Sequence, residues 1–314
     1  MVIGQALEPL RRRYLHWLGL SGDEILDDRD EATEDIRAMQ LVLRLERTAE
    51  PSWHAAAGLA ATAAARLCLD PRAEPGGPWA EAIAAYCAGH IRKVTRRARG
   101  AHWAALADLP GIALADGDTE VIALLPGRIA ELDKRVARLQ VGGTDLPVDE
   151  APALGPSTGS GRVGELGSGR VGELGSGRVG ELGSGRVGEL GSGRVGLRLW
   201  VPPEPVMTLG KTMAQTGHAG MIAAALLADE DPETLAAWAA AGCPATARRV
   251  DAAGWQKLLE RCADAGSAWQ DHRLLAVRDA GFTEIAPGTI TVIAQFEDES
   301  QISLADSRDP GGGE

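Results

Sequence analysis

"GLRLWVPPEPVMTLGKTMAQTGHAGMIAAALLADE", residues 196–230, holds a short strand, a turn-rich break and a helix in one run. Its opening "GLRLWVPP" has the alternating apolar residues of a strand. A Pro-rich loop follows, and a helix runs from about Gly210 into "AAALLADE". The "GKT" within it invites comparison with a phosphate-binding P-loop, which needs a glycine five positions before the Gly of GK. Pro205 stands there, and "WVPPEPVMT" offers three prolines and no glycine. Prolines remove backbone donors where that loop must supply them, so Lys211 serves another purpose.

Downstream, "PETLAAWAAAGC" reads as a second helix with Pro at its start, and "WQKLLERCADAG" as a third that stops at a Gly. "HRLLAVRDAG" and "GTITVIAQF" read as later strands, the last dense in β-branched residues. Strands alternating with helices predict a layered α/β domain.

Upstream, from Gly159 to Gly196, the octapeptide "GSGRVGEL" occurs four times and breaks off in a fifth copy. So Gly-rich a segment buries too little apolar surface to offset its ordering entropy, and it is read as a flexible linker. Its 38 residues would span roughly 35 Å end to end as a random coil. The chain before the linker echoes the chain after it. "MQLVLRLER" is the expected first strand and "WHAAAGLAATAAARLCL" the first helix. "WAEAIAAYCAGH" and "RGAHWAALADLPG" are the next helices, and "DTEVIALLPG" stands where "FTEIAPGTITV" stands later. This order predicts a duplicated domain. "RIAELDKRVARLQVGG" is expected as a helix with Ile129, Leu132, Val136 and Leu139 on one face, docked within the chain. The expected units are 1–38 (a helix and an acidic connector), 39–150, the linker 151–196, 197–296 and an acidic tail 297–314.

The start of the chain shows no apolar signal core, and no apolar run approaches the roughly 20 residues of a membrane span. Cys68, Cys87, Cys243 and Cys262 form no C-x-x-C pair and are expected as reduced thiols of a cytoplasmic protein. No metal or cofactor is implied. The net charge of −12 argues against indiscriminate nucleic-acid binding. Against that background "IRKVTRRARG" concentrates Arg92, Lys93, Arg96, Arg97 and Arg99 without an acid. It is either a solvated face or a set of phosphate contacts.

Lys211, Gln215 and His218 are spaced to project from one side of a helix. Lys211 lies in the first turn, where the helix dipole disfavours a cation. Alone, the three amount to a polar stripe. A second cluster, "DAGFTEIAPGTITV" from Asp279 to Val292, adds an acid, hydroxyl residues and a Pro-Gly turn calling for positive φ at Gly288. Strand alternation beyond it would place Thr289 and Thr291 on one face.

Together, "GKTMAQTGHA" and "DAGFTEIAPGTIT" resemble the two motifs of the type II peptidyl-tRNA hydrolases, G-K-x-x-A-Q-x-x-H-A and D-A-G-R-T-x-x-A-P-G-[ST]-x-T. "LAAWAAAG" is similar to the end of that family's second helix. The resemblance covers about residues 197–296. It implies a three-layer α/β/α domain around a mixed four-stranded sheet, present twice if the first half is a degenerate copy. The family's enzymes are typically homodimers, so the halves are expected to form an intrachain pseudodimer. The implied reaction is hydrolysis of the ester joining a peptidyl group to tRNA. The implied catalytic residues are Lys211, Asp279, Thr283 and Thr291. Gln215, His218 and Thr289 are assigned to substrate, with the basic run of the first half on phosphate. Phe282 replaces the family's Arg, and "GCPATARRV" replaces its G-Q-x-K stretch. A related acyl-tRNA esterase, a non-catalytic RNA-binding protein and a structural scaffold stay open as alternatives.

Overall fold

The computed structural model describes residues 3–21, 32–48, 50–151, 195–279 and 285–297. Nearly all of the octapeptide repeat, the connector 22–31 and the tail after 297 lie outside these residues, as does Thr283. The first half comprises α1 (Glu8–Trp17), β1 (Arg37–Arg44), α2 (Trp53–Leu69), α3 (Ala80–Ala88), β2 (Arg92–Ala98), α4 (Gly100–Ala104), β3 (Gly111–Asp116), β4 (Thr119–Leu124), β5 (Gly127–Arg128) and α5 (Lys134–Ala137). The second comprises β6 (Gly196–Val201), α6 (Leu209–Glu230), α7 (Pro232–Ala240), β7 (Ala245–Arg249), α8 (Ala252–Arg261), α9 (Ala265–His272), β8 (Leu274–Arg278) and β9 (Ile290–Glu297).

Two mixed sheets result, and they match strand for strand. The first has the order β2-β1-β4-β3, with β5 beside β1; the second has the order β7-β6-β9-β8. In each, the first strand runs parallel to the second and antiparallel to the last. The third and last strands pair antiparallel. This is the arrangement expected of a duplicated domain.

Local chemistry sets the helix starts. Ser52 accepts from the Ala55 amide to cap α2, and Thr208 accepts from the Lys211 amide to cap α6. Asp231, Asp251 and Asp264 cap α7, α8 and α9 in the same way. The predicted helix over residues 128–143 is broken instead. Its start pairs with β1, and Asp133 accepts from the Arg135 amide to open the separate short α5. Val136 and Leu139 still dock into the chain with Trp103 and Leu106, while Ile129 is exposed. "RGAHWAALADLPG" keeps only α4 as α-helix, because the chain turns at Pro110 into β3, a strand the sequence reading did not anticipate. β7 and α9 were likewise not anticipated.

Outer helices α8 and α9 cover one face of the second sheet through Trp255, Leu258, Cys262 and Ala268. Its other face meets α6, and the first sheet's inner face meets α2. These two long helices lie side by side between the sheets, and one continuous apolar core runs through both halves. The approach is close because glycines line it. A Cβ on Gly220 of α6 would lie 2.6 Å from the Ala61 carbonyl oxygen of α2. Nearby, the Thr216 hydroxyl donates to the Ala57 carbonyl at 2.8 Å. Each helix also reaches the other half's sheet: Gly58 of α2 packs on Ala245 of β7, and Gly217 of α6 packs on Lys93 of β2. Since β7 and β2 hold equivalent places in their sheets, the two contacts are exchanged counterparts, as a two-fold axis generates.

Candidate active site at the start of α6

The Thr208 cap sets the first turn of α6, from which Lys211 points toward the end of β8. There the chain closes a tight loop on itself. The Asp279 amide donates to the Thr289 carbonyl at 2.9 Å, and the Gly288 amide donates to the Asp279 carbonyl at 2.8 Å. Gly288 sits at φ 80°, the left-handed conformation a glycine accepts without strain. This loop fixes Asp279 opposite α6.

Lys211 Nζ forms an ion pair with Asp279 Oδ2, with side-chain exposures of 11% and 4%. Gln215 Nε2 donates to the same Oδ2 at 2.9 Å. Gln215 Oε1 accepts from the Thr291 hydroxyl at 2.6 Å. The four side chains form one line of hydrogen bonds, Thr291–Gln215–Asp279–Lys211, spanning α6, β8 and β9. An acid, an amine, an amide and a hydroxyl are thus held in fixed order with little water around them. In so dry a setting charge–charge and hydrogen-bond interactions strengthen, and each group's orientation is set before a substrate arrives.

His218, nearly two turns on, lies outside this line. Its Nδ1 is 3.3 Å from the amine of Lys93, which enters from β2 of the first half. Lys93 also donates to the Tyr86 hydroxyl at 3.4 Å. Burial pulls the Lys93 amine down from 10.5 to about 7. Burial first, and then the charges of Lys93 and Lys211, push the His218 imidazole well below its usual range, so it stays neutral.

The remaining assigned residues separate. Thr289 meets the site through its backbone carbonyl on the Asp279 amide. β9 begins at Ile290, and a register irregularity at Val277/Arg278 interrupts the alternation that would have aligned Thr289 with Thr291. The basic run does not present one common face. Lys93 turns inward to α6, and Arg96 is held by Gln40 Oε1 at 2.7 Å and the Leu139 carbonyl at 2.9 Å. Arg92 is half-buried at the start of β2. Arg97 and Arg99 line an open cavity in the first half, joined by His102 and Arg138, which sequence reasoning did not single out. The missed signal was the period of two: had "RKVTRRA" been taken as a strand, Lys93, Thr95 and Arg97 would have fallen together.

Residues 199–303 match the family model described as Peptidyl-tRNA hydrolase PTH2. The second half carries a PTH2-family domain. The matched segment holds every member of the hydrogen-bonded line, from Lys211 to Thr291. No curated protein and no solved structure matches the chain. Among the described residues no helix is long and apolar enough to cross a membrane.

Proposed function

We propose that the PTH2 domain hydrolyses the ester between a peptidyl group and tRNA, with the first half completing its site. The observation that carries this reading is the buried Lys211–Asp279 pair, braced by Gln215 and Thr291 inside the segment that matches the family. Ester hydrolysis needs an oriented water, a group to take its proton and a donor for the developing oxyanion. In this reading Asp279 is the proton acceptor or the group that positions Lys211. Lys211 donates to the oxyanion or to the terminal phosphate. Thr291, through Gln215, holds the carboxylate in place, and Thr283 positions water or the ribose hydroxyl. In this reading an activated water attacks the ester directly, without an acyl-enzyme.

The same reading gives the first half a part in the site. Lys93 of β2 reaches His218 of α6, so the halves act as an intrachain pseudodimer in which the copy lacking the Lys–Gln–His set contributes an amine. The test is release of free tRNA from tRNA carrying an N-acetylated amino acid. The wild-type chain is expected to release it in steady state. Retained tRNA binding with no release would turn the reading to an RNA-binding protein on a hydrolase fold.

A further inference from the structure

The first half contains a cavity of about 520 Å³, within the range of small-molecule sites. Arg97, Arg99, His102 and Arg138 line it, in a chain whose net charge is −12. One acid, Glu46, lies among them. Its carboxylate accepts from the Gly100 amide at 3.0 Å and from Arg44 Nε at 3.1 Å. Those two donors, the amide first, and the charges of Arg44 and Arg99 hold it below the usual carboxylate range, so it stays ionised and offsets part of the cavity's positive charge. Three guanidinium groups against this one carboxylate leave the lining net positive, on an apolar floor of Leu45, Ala98 and Leu139.

The guanidinium groups differ in exposure. Arg97 is anchored: its backbone amide donates to the Gln140 carbonyl at 2.9 Å and its guanidinium donates to the Gln140 side chain. Its Nε is buried and lacks a hydrogen-bond partner among the described residues. Arg99, His102 and Arg138 are exposed around it. One anchored fork beside exposed guanidinium groups suits an oxyanion with several acceptor atoms.

The cavity is also linked to the ester site through Arg97 and β2. Arg97 shares a face of β2 with Thr95, roughly 7 Å away along a strand. The Thr95 hydroxyl donates to the Gly210 carbonyl at 2.7 Å, one residue before Lys211. On its other side the Arg97 guanidinium packs against Gly143, next to Thr144, whose hydroxyl accepts from the Gly210 amide at 3.2 Å.

Resting on the acyl-tRNA reading above, we propose that this cavity is a phosphate-binding pocket that seats the backbone of the RNA strand leading to the ester. The first half would thus hold the substrate at a second point, separate from the reacting groups.

The experiment compares the full chain with the double variant Arg99→Glu/Arg138→Glu, both exposed positions. A control, Lys257→Glu/Arg261→Glu, makes the same charge change on the exposed side of α8. Affinity for uncharged tRNA is measured by fluorescence anisotropy over a range of salt, with AMP binding alongside. In the double variant Kd is expected to rise at least about tenfold, and the slope of log K against log salt to shrink by about 2. The control is expected to stay within about threefold of wild type. Equal losses in both variants, an unchanged slope, or loss of AMP binding with tRNA affinity intact would each overturn the proposal. A wild type that binds tRNA through these arginines yet releases nothing from the peptidyl ester would sink the hydrolase reading and leave the pocket standing. Turnover by wild type and double variant with equal KM would do the reverse.

Discussion

Lys211 and Asp279 each justify the other's burial. Removing one leaves an uncompensated charge inside the protein, so conservative changes are the informative ones. Asp279→Asn and Lys211→Met are each expected to cut tRNA release by about 10²-fold or more, the scale of a lost acid–base or oxyanion group. Circular dichroism should show the fold retained. Thr291→Val strips the hydroxyl from Gln215 Oε1 and leaves a buried amide oxygen without its donor, which costs about 1–3 kcal/mol in a urea titration. Lys93 supplies a pH signature. Its folded-state value is about 7, against 10.5 ordinarily. Below about pH 7 both folded and unfolded chains hold the proton, and the fold bears the whole cost of the buried charge. Between about 7 and 10.5 the unfolded chain binds more protons, so this residue's contribution makes stability rise with pH. Thermal midpoints of Lys93→Met should lack that rise; parallel profiles for variant and wild type would contradict the burial of the amine. Most of the site residues lay in two motifs and were readable as such. Lys93 was singled out only as a phosphate contact; its place beside His218 was not legible, because that partner is 125 positions away and only the packing of β2 on α6 brings it there.

At the scale of elements, the α2–α6 contact decides how the halves meet. Gly220→Ala places a methyl 2.6 Å from the Ala61 carbonyl oxygen, so the helices must separate. The expected loss is about 1–3 kcal/mol in stability, read as a fall in urea midpoint at constant slope. Thr208→Ala at the start of α6 removes the acceptor for the Lys211 amide and costs about 1 kcal/mol. It also loosens the turn that aims Lys211, so its activity should fall more than its stability explains. The long helices α2 and α6 were legible because Ala-rich apolar runs with capping residues mark them. The strands β3 and β7 were not: "GIALAD" does alternate, with Ile112 and Leu114 buried, but it is only six residues and its intervening Ala residues blur the pattern, and "ATARR" is shorter still. The broken segment at 128–143 kept its apolar spacing but lost its helix to pairing with β1. Burial of Val136 and Leu139 was readable there; continuity was not.

At the scale of the whole molecule, matching sheets and exchanged helix–sheet contacts describe two halves that share a core. The second half made alone would expose the glycine-lined face of α6 and the apolar residues around it. It is expected to self-associate or aggregate, and light scattering from residues 195–314 checks this; a monodisperse, active monomer would contradict a shared site. The order of segments suggested two similar halves, with which the matching sheets are consistent. The pairing of the halves was expected from the family resemblance alone, and the contacts that make it, between residues far apart in the chain, were not legible. The proposed reaction is cleavage of peptidyl-tRNA by the PTH2 domain at the Lys211–Asp279 pair. Single-turnover cleavage of N-acetylated aminoacyl-tRNA by wild type and Lys211→Ala, side by side, tests it most directly. Free tRNA is expected from the wild type, with release at least about a hundredfold slower from the variant. Equal rates, or no release from either, would contradict it.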